Sequence, residues 1–405
     1  MDFAEDDQTL QLRAALTEFL TDRVLPAEPV LAEQMRGRPP SYEAPVKEQL
    51  KAEARARGLW NLFLPDPRWG AGLTNVEYAP LAELTGHSPE LAPEATNCAA
   101  PDTGNMELLA LFGTPDQQRQ WLVPLLEGQI RSCFSMTEPA VASSDASNIR
   151  TEIRREGSEY VITGRKWWSS GAFRDRCALL IVLGVTDASA GRHGRHSIVL
   201  VPRNAPGVAL LRSTPVFGYG HEAVGGHAEI CYDAVRVPAT NLLGTEGAGF
   251  AMAQARLGPG RVHHCMRLLG QAERALETMC RRATERVAFG QRLSDFGTVQ
   301  RDIAWSRMEI DQARLLVLKT AWLIDTVGNR GARTEISAIK AVVPQAAGRV
   351  IDRAIQTFGA AGLSDDWPLA QFATEARYLR IGDGPDEVHH AAIARRELHR
   401  YGGGR

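Results

Sequence analysis

The 405-residue sequence has no CxxC pair, no run of the roughly 18 apolar residues that a membrane-spanning helix needs, and no excess of either charge sign. Its six cysteines (Cys98, Cys133, Cys177, Cys231, Cys265 and Cys280) are scattered. A chain of this length buries a core without disulfides, so a reducing compartment is expected. Lys plus Arg number 46 and Asp plus Glu 48, a net charge of −2 that offers no overall attraction to nucleic acid or an anionic membrane. The opening MDFAEDDQTLQLRAAL is acidic and lacks the basic start and apolar run of a secretion signal, so a soluble cytoplasmic protein is expected. His263–His264 and His389–His390 are adjacent pairs without HExxH-type spacing; they read as helix or pocket-rim residues, and no metal is expected.

What is present changes period along the chain. Residues 1–130 read as helical: Leu10, Leu12, Leu16, Phe19 and Leu20 recur at helical spacing, and Thr114-Pro115-Asp116 looks like a cap followed by a first-turn proline. Residues 131–243 carry short Val/Ile-rich segments such as EYVITG, ALLIVLGV, HSIVLVP and HAEICYDAVRV, separated by turn residues. Helices of normal length do not fit between them, so antiparallel strands in a small barrel or sandwich are expected. Residues 244–405 return to the helical period. Val299, Ile303, Ile310, Val317, Ala321 and Ile324 line one stripe, and Ile336, Ile339, Val343, Ala346, Val350, Ala354 and Phe358 another, which Pro344 should kink or divide. The class is α+β, with a strand domain between two helical ones.

Two strings concentrate polar chemistry. FSMTEPAVASSDASNI, residues 134–149, gathers hydroxyls and turn backbone that suit a polar planar edge or phosphate oxygens, or else cap their own loop. GRKWWSSGA, residues 164–172, places Trp167 and Trp168 side by side. In a regular strand these point to opposite faces, one into the core and one free to cover an aromatic ligand; two packing tryptophans are the alternative.

Together with RLGPGR, RATERVAFG, QTFGAAG and RIGDGPDEVHH, these strings resemble the acyl-CoA dehydrogenase family over nearly the whole chain. The likeness is strongest to the subgroup whose animal members carry an additional phosphotransferase-like domain, and no such domain is expected within these 405 residues. The resemblance implies a helical N-terminal domain, a middle β domain, a C-terminal four-helix bundle, bound FAD, and a homodimer or homotetramer with the FAD site shared between subunits. By this likeness Met136 and Thr137 line the flavin, Trp168 packs on it, Ser170 bonds near its N5, and Ser144 contacts the acyl-CoA or a cofactor phosphate. The string has one residue more than the common TEPGAGSD and Ser143 where glycine is usual. Arg286, Phe289, Gln356, Gly359 and Ala360 match positions that reach FAD across the subunit boundary.

Asp383, in IGDG, stands where the family places its base, and Arg261 matches an arginine at the substrate end of the pocket. The backbone N–H of Asp383 or its neighbour Gly384 would polarise the thioester carbonyl. Asp386 and Glu387 are competing carboxylates, whereas the earlier position used by some relatives holds Pro259 and Gly260. Pro385 and Glu387 replace residues that touch the FAD adenosine in many relatives. The implied activity is α,β-dehydrogenation of an acyl-CoA to the trans-2-enoyl-CoA, with electrons passed to an electron-transferring flavoprotein. An acyl-CoA oxidase, or a flavoenzyme of the same fold acting on a non-CoA substrate, is the alternative.

Overall fold

The structure, a computed structural model, describes residues 3–402. Along the chain the first helices are α1 (Asp7–Phe19), α2 (Leu25–Met35), α3 (Pro45–Ala56), α4 (Asn75–Thr85), α5 (Ala92–Ala95), α6 (Asp102–Phe112), α7 (Pro115–Gln117) and α8 (Val123–Leu126). The strands follow: β1 (Arg131–Ser135), β2 (Glu152–Glu156), β3 (Glu159–Ser170), β4 (Cys177–Val185), β5 (His196–Pro202), β6 (Val208–Ser213), β7 (His227–Pro238) and β8 (Leu242–Leu243). The rest comprises α9 (Gly249–Glu285), a hairpin of β9 (Val287–Ala288) and β10 (Gln291–Arg292), then α10 (Gly297–Gly331), α11 (Arg333–Phe358), α12 (Leu369–Tyr378) and α13 (Asp386–His399). Among the described residues no helix is long and apolar enough to cross a membrane.

Local signals account for the helix starts. Thr74 with Glu77, and Thr114 with Gln117, each close a reciprocal capping box, and Pro115 occupies the first turn where its missing N–H costs nothing. Pro344 does not divide α11, which runs unbroken for 26 residues. The lost backbone bond is outweighed by packing, because Ile339, Val343, Ala346 and Val350 around it are all buried.

In space the chain forms two compact units. One contains Pro26–Ala71 and Glu94–Gly260; the other contains the chain up to Leu25, Gly72–Pro93, and the chain from Arg261 onward. In the first unit the sheet runs β6-β7-β3-β2-β4-β5-β8, with β1 also paired to β4. The sheet is mixed rather than wholly antiparallel, since β1 lies parallel to β4 from Arg131↔Cys177 to Ser135↔Val182. It enters from α8 and not through a hairpin, which frees it from the antiparallel constraint. The sheet is open and does not close into a barrel: β6 and β8 are its ends. β4 is buried along most of its length, which is why ALLIVLGV reads as a continuous apolar run, whereas edge strand β6 alternates half-buried and exposed positions.

In the second unit α4 crosses α9 at two glycines. A Cβ on Gly86 would lie 1.9 Å from the Arg267 carbonyl oxygen, and one on Gly270 would lie 1.9 Å from that of Glu83. Only the absence of side chains lets the two backbones touch, and this contact fixes the turn of α9 that carries Arg267. The α11 stripe is buried as its period predicts; on α10, Ile310, Val317 and Ala321 are buried while Val299, Ile303 and Ile324 are half-covered.

Candidate active site

In the sheet-bearing unit, Glu138 fixes the turn after β1. Its Oε1 accepts from Thr151 N (2.8 Å), Thr151 Oγ1 (2.6 Å) and Lys166 Nζ (2.9 Å), and its Oε2 from Arg150 N (2.8 Å). Gly164 and Gly184 make room for Thr151, since a Cβ at either would strike it at 2.5 or 2.7 Å. Burial alone would raise the Glu138 carboxyl, but the Lys166 charge and the Thr151 donors hold it below its ordinary value. Lys166 is buried, which lowers its ammonium to about 8, and it also donates to the Met136 carbonyl at 2.7 Å. Thr137 receives the Trp167 backbone N–H on its carbonyl at 2.9 Å. The backbone of Met136 and Thr137 and the side chain of Glu138 are therefore tied to β3, while no hydrogen bond to the Thr137 hydroxyl occurs among the described residues. Ser143 fills the position where glycine is usual by accepting the Glu138 N–H at 2.9 Å, which closes the longer turn and leaves Ser144 exposed.

The two tryptophans do not point to opposite faces. The pairing of β3 with β7 shifts between Lys166 and Ser169, so Trp167 and Trp168 together oppose one residue, and Trp168 adopts a left-handed φ of 53°. This bulge turns both rings together, their centroids 6.2 Å apart at 65°. The Trp167 indole N–H is buried without an acceptor. Ser170 Oγ lies 2.8 Å from His227 Nδ1, whose Nε2 lies 3.0 Å from His221 Nδ1, and Trp168 leans on His227. Burial, with a smaller contribution from His221, pushes His227 down to about 3, so this chain is neutral.

In the other unit, Asp383 sits half-buried in the loop between α12 and α13 with a left-handed φ of 56°. Arg261 Nε donates to the Asp383 carbonyl at 2.9 Å, and Lys340 donates to the carbonyls of Leu379 and Gly384. Gly384 has φ 110°, and a Cβ there would meet His389 Nε2 at 2.9 Å, so glycine is required on both counts. The Gly384 N–H has no acceptor among the described residues. The competing carboxylates are placed differently: Asp386 is buried and accepts from Arg380 Nε (2.8 Å) and Gln345 Nε2 (3.2 Å), and Glu387 is exposed. His264 Nε2 lies 3.6 Å from Asp383 Oδ2.

The remaining sequence candidates gather at two helix ends of this same unit. Arg286 immediately precedes β9 and Phe289 lies in the turn between β9 and β10; Phe289 is 99% exposed, and Arg286 is exposed without a side-chain partner among the described residues. Gln356, Gly359 and Ala360 are exposed at the end of α11, where Gly359 has φ 64°. Between these ends lies a cleft of ≈ 260 Å³ lined by Thr278, Arg282, Phe358 and Trp367, with the Arg282 guanidinium 5.2 Å over the Phe358 ring.

These donors fit a flavin dinucleotide. An orphaned buried indole N–H beside an uncommitted threonine hydroxyl suits the edge of a planar heteroaromatic ring, and an unpaired exposed arginine beside a bare phenyl ring suits a diphosphate and its flanking groups. From sequence, no cofactor or catalytic role attaches to Trp167 specifically, nor to Lys166, Glu138 or His264. The adjacency of Trp167 and Lys166 to Trp168 was a signal; His264 gave none, because its partner lies far along the chain.

Residues 6–129, 133–235 and 247–398 match the N-terminal, middle and C-terminal domains of acyl-CoA dehydrogenase, respectively. The chain is 59% identical over 402 residues to a protein of Mycobacterium tuberculosis named probable acyl-CoA dehydrogenase FadE2, covering 99% of this chain and 98% of that one. It is 50% identical to human acyl-CoA dehydrogenase family member 11 over 98% of this chain, and it spans about half that relative's length, 51%. Among solved structures, butyryl-CoA dehydrogenase from Megasphaera elsdenii superposes with a TM-score of 0.83 at 27% identity, covering 98% of this chain and 100% of that one. With all three domains matched and relatives alike over nearly the whole chain, this chain belongs to the acyl-CoA dehydrogenase family of FAD-dependent oxidoreductases.

Proposed function

We propose that the protein oxidises an acyl-CoA thioester to the trans-2-enoyl-CoA, with Asp383 as the base that removes the α-proton. The observation that carries this reading is the contrast between carboxylates: Asp383 is held by its backbone with its carboxylate half-exposed, whereas Asp386 is buried against Arg380. Arg261, anchored on the Asp383 carbonyl, holds the loop, so the shorter aspartate side chain is advanced by a strained backbone. The uncommitted Gly384 N–H supplies a donor for the thioester oxygen as negative charge develops there. When bound, FAD supplies the two-electron acceptor for the β-hydride.

Met136, Thr137, Ser144, Trp168 and Ser170 are assigned to the flavin and the CoA-proximal groups. Trp167 joins them because its N–H is buried and unanswered. Arg286, Phe289, Gln356, Gly359 and Ala360 are assigned to FAD of a second copy. A phenyl ring 99% exposed beside Val287 at 59% is a surface that a homodimer or homotetramer would cover. Domain limits of 1–130, 131–243 and 244–405, a cytoplasmic location and an electron-transferring flavoprotein as acceptor complete the reading. The deciding experiment is anaerobic titration of the purified holoenzyme with a panel of acyl-CoAs. Bleaching of the flavin by at least one of them is expected, and no bleaching by any would end the proposal. Admitting air afterwards separates a dehydrogenase, which recolours slowly, from an oxidase.

A further inference from the structure

The adjacent histidines of α9 have different surroundings. His263 is buried against Tyr78, ring centroids 5.0 Å apart at 75°. His264 faces the loop that carries Asp383: its Nε2 is 3.6 Å from Asp383 Oδ2, and its Nδ1 is 3.5 Å from Arg267 Nη2. A guanidinium has donors only. Nδ1 of His264 therefore accepts in this contact, which leaves the ring proton on Nε2, facing the Asp383 carboxylate. Arg267 is itself buried, one helical turn from the α4–α9 glycine crossing at Gly270, with the carboxyl of Glu375 from α12 beside it. The order Glu375, Arg267, His264, Asp383 forms a polar chain from the helical core to the loop.

We propose that His264 is a positioning residue for Asp383: locked by Arg267 in its Nε2–H tautomer, it donates to the carboxylate and holds it ionised and aimed. The inference rests on reading Asp383 as the base. A separation of 3.6 Å is long for a hydrogen bond, and catalytic contacts in ligand-free sites commonly shorten when substrate binds. In the step itself the α C–H bond breaks, the proton goes to the Asp383 carboxylate, and the electron pair remains on the thioester enolate. His264 keeps its proton throughout. The other charged or titratable groups facing Asp383 are Arg261 and Cys265 of α9, Lys340 of α11 and His389 of α13; those facing His264 are His263 and Arg267.

The test isolates proton removal from oxidation. Holoenzyme is incubated in deuterium oxide with a 3-thiaacyl-CoA, whose β-sulfur has no hydride to give, and α-deuterium uptake is followed by mass spectrometry as a function of pH, with FAD content measured for each variant. His264→Phe and His264→Ala are expected to slow uptake and move its acid limb upward by about one pH unit, a tenfold loss of carboxylate below the limb. His264→Gln, whose amide N–H still donates, should keep the limb near the parent position. If the Phe and Ala variants exchange with the parental rate and limb, or if Gln shifts the limb as far as Phe does, the role of His264 is wrong. Asp383→Asn is run in parallel. Its loss of exchange with unchanged His264 variants removes only the His264 role, whereas persistent exchange removes the base assignment and this proposal with it.

Discussion

Arg261 Nε donates to the backbone carbonyl of Asp383 at 2.9 Å, joining the arginine of the RLGPGR string to the aspartate of IGDG across more than a hundred residues of chain. The contact is to the main chain, so it fixes where the loop stands and leaves the carboxylate oxygens for other partners. Asp383→Asn should retain FAD yet slow flavin bleaching by acyl-CoA at least about a hundredfold, within the general-base range. Asp386→Asn should do the reverse: near-normal bleaching in stopped flow, but a lower melting temperature, because it weakens a buried bond to Arg380 worth about 1–3 kcal/mol.

Arg286→Ala addresses the cofactor rather than the chemistry. The side chain is exposed and has no partner among the described residues, so its removal should leave thermal stability of the apoprotein unchanged. FAD occupancy after gel filtration, read from flavin absorbance per protein, should fall. Undiminished occupancy would remove Arg286 from the proposed FAD site.

Gly270→Ala tests the helix crossing beneath the proposed positioning chain. The added methyl would sit 1.9 Å from the Glu83 carbonyl oxygen, a backbone atom that cannot rotate away. Overpacking of this kind costs about 1–3 kcal/mol. Chemical denaturation should show a lower midpoint for Gly270→Ala, whereas Gly37→Ala, with φ 69° but nothing within 4 Å, suffers only backbone strain.

Acid should destabilise the fold in two stages. Burial, with smaller contributions from His221 beside His227 and from Arg267 beside His263, holds both near 3, so both stay neutral in the folded state while the unfolded chain takes up protons below its ordinary histidine value of about 6.5. Stability therefore falls as pH drops from about 6.5 towards 3, by up to about 1.4 kcal/mol per pH unit for each ring. Glu94 follows. Burial alone would raise its carboxyl, but Arg131, Arg174 and Lys51 hold it well below the ordinary value. Its stabilisation is present above about pH 4.5 and is lost as pH falls through the depressed value. Melting curves should decline below pH 6.5 and steepen below 4.5, and His263→Gln should flatten the first stage.

Much of this was legible in the residues. The change of period along the chain reflects the run of the large sheet from β1 to β8, because a half-buried strand must alternate and a bundle helix must repeat every three to four residues. Thr114 followed by Pro115 announces a helix start because the bonds a cap makes are local. The TEP and KWWSS strings concentrate hydroxyl and indole groups in short segments, which the residues alone leave open between a ligand site and local capping or packing.

What the tertiary structure alone decided involves partners distant in sequence. The parallel seat of β1 on β4, the bulge that turns Trp167 and Trp168 together, and the grip of Lys166 on Glu138 depend on strand register, which hydrophobic alternation does not set to the single residue. In the string Asp386 and Glu387 compete with Asp383, and the fold separates them: Asp383 is half-buried beside His264, Asp386 is buried and paired with Arg380, and Glu387 lies in solvent. His264 looked like half of an unremarkable pair. Its position opposite Asp383 exists only because α9, α11 and α13 pack in one unit, and a sequence records which side chains are available, not which of them that packing brings within reach.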